Sequence, residues 1–252
     1  MHFLSVIIPF HQNISDLKRS IESVNNQILP KNTFVEICIG NDSKYKDDFL
    51  LNELKSISKY QIFIFRNKLS KGAGNSRNAA IKGSKGNLLA FLDADDYWKS
   101  EKILKQIAAI ERGYNFISTD FKYKDKNIVI KTPLKIKNYK SFFFSNSIGT
   151  STVMLKKEIV KGKRFNNIKF CQDILFWSSI AKSKSFRFKS INKPLVIYSL
   201  NGRTSKSSYF ERFYFYVLSC YLAKLNFLEI LLSLIHYSIK GLFNRFFKLI
   251  IS

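Results

Sequence analysis

The sequence has few residues of the kinds that bind soft metals or build disulfide frameworks. Its three cysteines, Cys38, Cys171 and Cys220, and its three histidines are scattered along 252 residues. None of them shows the close spacing of a zinc site, so any bound metal is expected to have oxygen ligands. An odd, dispersed set of cysteines is typical of a reducing compartment and predicts a cytoplasmic location.

Acidic residues are also scarce. Only 18 Asp and Glu oppose 42 Lys and Arg, which gives a net charge of +24. This excess predicts an anionic partner, either nucleic acid, an anionic membrane surface or a phosphorylated substrate. For any single lysine, solubility alone is an alternative explanation. Because no helix-turn-helix, zinc-finger or aromatic RNA-binding pattern accompanies the charge, no nucleic-acid partner is expected.

Long apolar runs, internal repeats and linkers rich in proline or glycine are missing as well. The first residues lack the basic and apolar regions of a signal peptide, and Pro9 interrupts the short apolar run 3–10. Hydrophobic residues make up 46% of the chain and aromatic residues 15%, which argues against disorder. The length is sufficient for a sizeable core.

Short apolar segments alternate with segments of helical periodicity through the first part of the chain. Strands are predicted at 3–10, 34–40, 60–65 and 87–92, and helices near 14–28, 47–58, 75–84 and from about Ser100. Asn13 or Ser15 can cap the first helix. This order is typical of an α/β fold with a mostly parallel sheet flanked by helices.

Polar side chains follow the ends of three of these predicted strands. They are His11, Asp42, Asp93 and Asp95, and Pro9 lies at the end of the first of these strands. Ligands of parallel α/β sheets bind beyond the carboxyl ends of the strands. These residues, which are distant in sequence, are therefore predicted to meet at one edge of the sheet.

The run LLAFLDADDYW, residues 88–98, places Asp93, Asp95 and Asp96 directly after the fourth predicted strand. Neighbouring carboxylates repel by roughly 1 kcal/mol per pair in water and by about 4 kcal/mol near a protein surface. A divalent cation, Mn²⁺ or Mg²⁺, would offset this repulsion, and alternate residues such as Asp93 and Asp95 share one face. A turn that caps the next helix is the alternative reading of these aspartates.

Four segments of the sequence, taken in their order and spacing, form a larger pattern: SVIIPFHQN, VEICIGNDS, NKLSKGAGNSRNAAIKGSKGNLLAFLDADDYW and CQDILFW. In these segments the chain resembles the family 2 glycosyltransferases, which have the GT-A fold, closely over 3–110 and loosely over 146–205. The resemblance implies a nucleotide-sugar-binding half, residues 1–115, and an acceptor-binding and catalytic half of the same domain, residues 116–205.

The resemblance also implies roles for single residues. Those expected at the donor are Pro9 and His11 beside the base, Asp42 contacting the base, Arg77 near the nucleotide, Asp93 at the ribose or the metal, and Asp95 as the principal metal ligand on the diphosphate. Asp96 would hold a loop or a water molecule next to the metal ligands.

Asp173, in CQDILFW, matches the general base of an inverting transfer. A general base accepts the proton of the acceptor hydroxyl as its oxygen attacks the anomeric carbon. Gln172 departs from the family pattern, which usually has Glu there, and helix N-terminal charge is the plain structural alternative for Asp173. Asp120 is the other candidate base. The segment GTSTVML, residues 149–155, resembles the acceptor-side strand of the family.

Polar residues recur every three or four positions between 226 and 248, and apolar residues fill the remainder. This pattern predicts an amphipathic helix in a tail, residues 206–252, that lies on an anionic membrane surface. Packing of the helix on the domain core is the alternative.

The sequence therefore predicts an inverting glycosyltransferase on the inner face of the cytoplasmic membrane. It would move a sugar from a nucleotide-diphosphate donor, UDP-linked, to a glycan or polyprenyl-diphosphate-linked acceptor of O-antigen, capsule or lipooligosaccharide synthesis. Because a Gln-x-x-Arg-Trp signature is missing, one sugar per encounter is expected. A basic nucleic-acid-binding protein and a non-catalytic nucleotide-sugar-binding protein are the alternatives.

Overall fold

The structure is a computed structural model, and it describes residues 1–66, 71–124, 126, 128–145, 148–199, 208–236 and 238. The strands in these residues form one sheet. They are β1 (His2–Phe10), β2 (Thr33–Asn41), β3 (Gln61–Phe65), β4 (Leu88–Phe91), β5 (Tyr97–Trp98), β6 (Phe116–Tyr123), β7 (Val129–Ile130), β8 (Met154–Lys156) and β9 (Phe188–Tyr198).

Helices cover both faces of this sheet. They are α1 (Ile14–Asn25), α2 (Asp47–Lys55), α3 (Ala73–Gly83), α4 (Lys102–Glu111), α5 (Ser141–Ser145), α6 (Gln172–Ala181) and α7 (Tyr209–Leu222). Short 3-10 helices lie at Thr150–Thr152 and Lys157–Val160.

The sheet order is β3-β2-β1-β4-β8-β6-β9-β5, with β7 paired to β6. The first four strands are parallel to one another, as the sequence predicts. Central parallel strands covered on both faces must be apolar on both sides, and the middle of β1 is fully buried from Leu4 to Ile8. The second half of the sheet is mixed, because β8 runs antiparallel to both β4 and β6.

Residues 1–115 and 116–205 contribute to the same sheet. The short strand β5, from the first part of the chain, pairs antiparallel with the end of β9 from the second part, Tyr97 lying opposite Ile197. This pairing places the residues that follow β4 beside the residues that follow β9.

Helix α1 is shorter than predicted. Asn13 caps it, accepting from the backbone N–H of Ser15 and Asp16, but it ends at Asn25 rather than near Ile28. The Gln27 side chain instead binds the start of α4, donating to Lys99 O at 2.9 Å and accepting from Ile103 N at 3.0 Å. Ile28 is half exposed as a result. Helix α2 likewise ends at Lys55 rather than near 58.

Helix α3 lies unusually close to β2. A Cβ added to Gly40 would stand 2.1 Å from the carbonyl oxygen of Ser76, so only glycine fits there. This approach sets the N-terminal turns of α3, including Arg77, against the carboxyl end of the sheet.

The tail helix packs partly on the domain. Tyr216 of α7 is fully buried, and its hydroxyl donates to Phe143 O at 2.5 Å. After a turn, residues 227–236 are helical again, and the rest of the predicted helix up to 248 lies outside the described residues apart from residue 238. Among the described helices, none combines the length and apolar character needed to cross a membrane.

The first residue of α4 is a lysine that is buried in the interior. Lys102 is fully buried, its Nζ donates to Gln106 Oε1 at 2.8 Å, and it lies 3.8 Å from the ring centroid of Trp98. Burial lowers the pKa of Lys102 well below its ordinary value, because the charged amine loses its hydration.

This burial predicts a pH-dependent cost in stability. A lysine whose pKa is lowered only in the folded state makes the protein less stable as the pH falls below the ordinary lysine value of about 10.5. The free energy of unfolding is to be measured in urea between about pH 6 and pH 9.5. As the pH falls, the value for Lys102→Met should increase relative to that of the wild type. Lys105→Met, on the exposed side of the same helix, is the control. A constant difference between Lys102→Met and the wild type across this range would contradict the prediction.

Candidate active site

The acidic loop after β4 is a tight turn fastened to α1. Asp96 N donates to Asp93 O at 3.0 Å and closes the turn. The Ser20 hydroxyl lies 2.7 and 2.6 Å from the carbonyl oxygens of Ala94 and Asp96 and shares its one proton between them. Arg19 Nη2 donates to Asp95 O at 2.9 Å. The side chains of α1 therefore hold the loop by its backbone and leave its carboxylates for other partners.

Arg77 and Asp93 form an ion pair at the carboxyl end of β4. Arg77 Nη2 donates to Asp93 Oδ1 at 2.5 Å, and the arginine is only 5% exposed. Its guanidinium also lies 5.3 Å from the ring centroid of Phe165. Arg77 Nε is buried without a hydrogen-bond partner. The ion pair therefore holds the positive charge of the Arg77 guanidinium beside the acidic loop, where the arginine is largely shielded from water.

Asp95 has a perturbed carboxyl group. Burial and then the negative charge of Asp93 raise the pKa of Asp95 to about 6, while the charge of Arg19 lowers it in part. A raised pKa means that the ionised carboxylate is poorly stabilised by its surroundings. A nearby positive ion would stabilise that ionised form. Asp95 is therefore the candidate among these carboxylates for contact with a positive ion.

Asp96 binds protein groups on two sides. It is 2% exposed, and its carboxylate accepts from the Ser151 hydroxyl at 2.6 Å and from Ser199 N at 3.0 Å. Burial, together with the charges of Asp93 and Asp95, raises the pKa of Asp96 well above its usual value. Asp96 does not cap α4, whose N-cap residue is Glu101 without a side-chain bond.

Ser151 connects the acidic loop with the second half of the chain. Its hydroxyl, besides donating to Asp96, accepts from Asp93 N at 3.0 Å. Its backbone carbonyl accepts from Trp98 Nε1 at 2.9 Å, and its N–H donates to the Tyr198 hydroxyl at 2.9 Å. This fully buried serine fixes the turn from the side opposite α1.

The predicted base-contacting residues lie at the ends of β1 and β2. Pro9 pairs with Gly40 in the strand register. His11 Nδ1 lies 3.1 Å from Asp42 O and 3.9 Å from Asp42 Oδ2. The Asp42 carboxylate accepts from Gly72 N at 2.8 Å. The structure thus brings Pro9, His11 and Asp42 together and joins them to the loop before α3.

Asp173 lies in the first turn of α6, next to Thr150. The Thr150 hydroxyl is 3.5 Å from Asp173 Oδ2, and Ile174 N donates to Asp173 Oδ1 at 2.9 Å. Burial raises the pKa of Asp173, the charge of Arg77 lowers it and the charge of Asp93 raises it. These interactions place Asp173 within electrostatic range of the Arg77–Asp93 pair.

Asp120, the other candidate base, is engaged elsewhere. It lies on β6, is 4% exposed, and its carboxylate accepts from Thr132 N at 2.8 Å. This hydrogen bond joins Asp120 to the segment after β7.

The acidic loop has two carboxylates that are candidate ligands of a hard cation. Within the described residues, no group of three or more His, Cys, Asp or Glu side chains could hold a metal by itself. Mg²⁺ and Mn²⁺ commonly take one or two protein carboxylates and complete their shell with water and substrate phosphates. Asp95 and Asp93 could supply such a partial set.

Sequence reasoning assigned no role to Ser151, Tyr198 or Arg19. Their parts depend on contacts between segments that are 47 to 76 positions apart. The one sequence signal that bears on them is the segment 149–155, which resembles an acceptor-side strand and which contains Ser151.

The fold is that of the GT-A glycosyltransferases. The crystal structure of S. aureus TarS 1–349 in complex with UDP-GlcNAc matches with a TM-score of 0.66 and 20% identity, over 91% of this chain and 69% of that chain. The chain spans 42% of a longer TarS structure. The mannosyltransferase PcManGT from Pyrobaculum calidifontis, in complex with GDP-Man and Mn²⁺, matches with a TM-score of 0.56 and 13% identity, over 79% of this chain and 57% of that one.

Sequence comparison specifies the family. The profile described as "Glycosyl transferase family 2" matches residues 5–176. The UDP-Glc:alpha-D-GlcNAc-diphosphoundecaprenol beta-1,3-glucosyltransferase WfaP of Escherichia coli is 32% identical over 216 residues, 84% of this chain and 82% of that protein. The chain belongs to the family 2 glycosyltransferases, which confirms the resemblance inferred from its motifs.

The contacts of Ser151 predict a marked effect of removing its hydroxyl. Ser151→Ala would leave Asp93 N without its acceptor and Asp96 without one of its two donors. Loss of such buried partners costs about 1–3 kcal/mol each at most sites. The free energy of unfolding in urea should fall by roughly that amount, whereas Ser185→Ala, at an exposed serine, should change it little. Equal stability of Ser151→Ala and the wild type would disprove the central position of Ser151.

Proposed function

We propose that this glycosyltransferase is an inverting enzyme that moves one sugar from a UDP-linked donor to a lipid-linked or oligosaccharide acceptor. The observation that carries the proposal is the Thr150–Ser151 dipeptide. Thr150 contacts Asp173, and Ser151 binds the loop of Asp93 and Asp96. A candidate base and a candidate diphosphate site are thereby held side by side.

Residues at the carboxyl ends of β1, β2 and β4 form the proposed donor site. Pro9, His11 and Asp42 would hold the base, and the buried Arg77 would provide positive charge near the nucleotide. Ligands of such sheets bind at this edge. The UDP-GlcNAc in the TarS structure and the UDP-glucose in the name of the WfaP relative support a UDP-sugar donor.

The proposed transfer is a single displacement. The acceptor hydroxyl oxygen attacks the anomeric carbon as the bond between that carbon and the diphosphate oxygen breaks, and the electron pair of this bond leaves with the nucleoside diphosphate. Asp173 accepts the hydroxyl proton. The raised pKa of Asp173 makes its carboxylate a better proton acceptor than an exposed aspartate.

Asp95 and Asp93 would hold the divalent cation, Mn²⁺ or Mg²⁺, with Asp96 bracing the loop behind them. When bound, such a cation neutralises charge on a leaving diphosphate. The Mn²⁺ in the PcManGT structure supports a metal in this fold. The fit to this chain rests on the perturbed carboxyl of Asp95.

The acceptor is proposed to be carried by a polyprenyl diphosphate at the inner face of the cytoplasmic membrane, in the synthesis of a surface polysaccharide such as O-antigen, capsule or lipooligosaccharide. The name of the WfaP relative, which describes a diphosphoundecaprenol acceptor, supports this class. The net charge of +24 suits an anionic membrane. Family membership favours this enzyme over the two alternatives, a nucleic-acid-binding protein and a non-catalytic sugar-nucleotide-binding protein.

The base assignment predicts a selective loss of turnover. Asp173→Asn keeps an acceptor oxygen for Ile174 N but cannot take up the proton, so kcat should fall by about 100-fold to 10,000-fold. UDP binding, measured by calorimetry with Mn²⁺, should stay within about threefold of the wild type, a difference below 1 kcal/mol.

Asp120→Asn is the matched control for this experiment. It changes a buried carboxylate that accepts from Thr132 N, away from the acidic loop, so kcat should be nearly unchanged. Full activity in Asp173→Asn, or loss of activity in Asp120→Asn with the fold intact, would refute the assignment. Both variants are best assayed by nucleotide release with a panel of nucleotide sugars.

The metal assignment predicts a change in cation dependence. Asp95→Ala should abolish the stimulation of nucleotide release by Mn²⁺ and weaken Mn²⁺-dependent UDP binding by about tenfold or more, because removing a carboxylate ligand or its support commonly costs that much. Asp48→Ala removes an exposed carboxylate and should leave both measurements unchanged. Wild-type Mn²⁺ dependence in Asp95→Ala would rule the ligand out.

A further inference from the structure

The exposed apolar surface of the protein is concentrated in its last described helices. Ten of the eighteen large apolar side chains that are exposed in the described residues lie between 209 and 235. They are Tyr209, Phe210, Tyr214, Tyr221, Leu222, Phe227, Leu228, Leu231, Leu232 and Ile235. Contiguous exposed apolar surface on this scale marks an interaction site.

On α7 three of the four exposed aromatic residues form one stripe. Phe210, Tyr214 and Tyr221 follow the spacing i, i+4 and i+11, which places them on a single face of a helix. They are 85%, 62% and 73% exposed. The opposite face, with Tyr216 and Cys220, is fully buried against the domain. The helix is therefore anchored on one side and presents aromatic rings on the other.

The helix at 227–236 repeats this arrangement. Phe227, Leu228 and Leu231 are 82%, 61% and 45% exposed, and Leu232 and Ile235 continue the same face. Ser233, on the other side, is fully buried and its hydroxyl donates to Ile230 O at 2.8 Å. Two consecutive helices thus each bury a small or polar residue and expose large apolar ones.

Residues 208–236 carry two basic and two acidic residues, so their own charges cancel and the positive charge comes from the segments around them. In residues 208–236 the two acids, Glu211 and Glu229, form ion pairs with Lys169 and Lys140. Exposed Lys224 lies in the turn between the two helices. The sequence that follows, 237–252, contains three basic residues and no acidic residue. The apolar stripes are therefore accompanied by cations and not by unpaired carboxylates.

We propose that the aromatic stripe of α7, together with the apolar face of 227–236, is inserted into an anionic phospholipid bilayer. The inference rests on the proposed lipid-linked acceptor. It extends that proposal by adding to the contact of 227–236 a stripe of α7, a helix that packs directly on the domain. Rigid attachment through Tyr216 would fix the height of the active site above the bilayer.

Charge complementarity selects the bilayer over other occupants of this surface. An anionic leaflet attracts each nearby basic residue by about 1 kcal/mol. A second copy of the chain would bring another net charge of +24 against the first, and like charges oppose association. Tyrosine and phenylalanine beside lysine are also the residues that interfacial helices use, with rings at the acyl boundary and cations at the headgroups.

A tryptophan placed in the stripe tests the insertion directly. The two native tryptophans, Trp98 and Trp177, are 4% and 1% exposed, so Tyr214→Trp in the full-length protein adds an exposed fluorophore with little competing signal. Vesicles of phosphatidylglycerol carrying brominated acyl chains should quench on the order of half of the added emission, since interfacial helices bury their apolar face to the depth of the acyl boundary. Phe49→Trp, at a 48% exposed position on α2, is the control and should not be quenched.

The same Tyr214→Trp variant separates the alternatives. Without vesicles, iodide should quench the added indole; protection from iodide would mean that another part of the chain or a second copy covers the stripe, and would overturn the proposal. Absence of quenching by brominated lipid, at vesicle concentrations that sediment the protein, would also overturn it.

A triple substitution gives an independent measurement. Phe210→Ser, Tyr214→Ser and Tyr221→Ser together should reduce sedimentation with phosphatidylglycerol vesicles by about tenfold or more, whereas Phe34→Ser, Phe49→Ser and Leu134→Ser, at exposed apolar positions elsewhere, should not. Nucleotide release with a water-soluble acceptor should be unchanged in both. If the wild type transfers no sugar while vesicle binding follows this pattern, the proposed function is wrong but the proposed membrane contact is supported. If the first triple variant binds vesicles as well as the wild type, the proposed membrane contact is wrong.

Discussion

Three carboxylates within four residues, at the end of a buried strand, repel one another, and the surrounding structure offsets that repulsion. Arg77 pairs with Asp93, and Ser151 and Ser199 donate to Asp96. Asp95 remains with its pKa raised to about 6 by burial and by Asp93. The pKa of Asp96 is raised as well, but its carboxylate is buried on protein donors. Asp95 is only partly buried, so it is the carboxylate that an added cation could reach and stabilise.

The same contacts join the two halves of the sheet. Ser151 comes from the segment before β8, Tyr198 and Ser199 from the end of β9, and the acidic loop from the end of β4. Each of these groups is buried or partly buried, so its hydrogen bonds are costly to lose. A site assembled in this way holds its carboxylates through the fold rather than through the loop alone. In the proposed displacement, this arrangement would supply preorganised charge.

The tail combines attachment and exposure in one helix. Tyr216 binds Phe143 O in the interior while Phe210 and Tyr214 face outward. In the proposed arrangement, a protein that handles a lipid-linked substrate would need no spanning helix, since a surface that is apolar, aromatic and cationic is sufficient for reversible attachment.

Much of the fold could be predicted from sequence because its signals are local. Apolar runs such as 3–10 and 34–40 are buried parallel strands, Asn13 caps α1, and the motif around Asp93 and Asp95 correctly indicated the family. The end of α1 was misplaced because Ile28 N donates to Ser100 O rather than to the helix, and because the Gln27 side chain binds Lys99 and Ile103. These partners are more than 70 positions away along the chain. The sequence by itself determined which acids cluster after β4, since their spacing is a property of consecutive residues. Only the tertiary structure decided that Ser151 binds the acidic loop, and that Asp173 lies beside Thr150 while Asp120 binds Thr132. It also decided which face of α7 is buried and which face exposes the aromatic stripe. Each of these depends on contacts between segments that are far apart in the sequence.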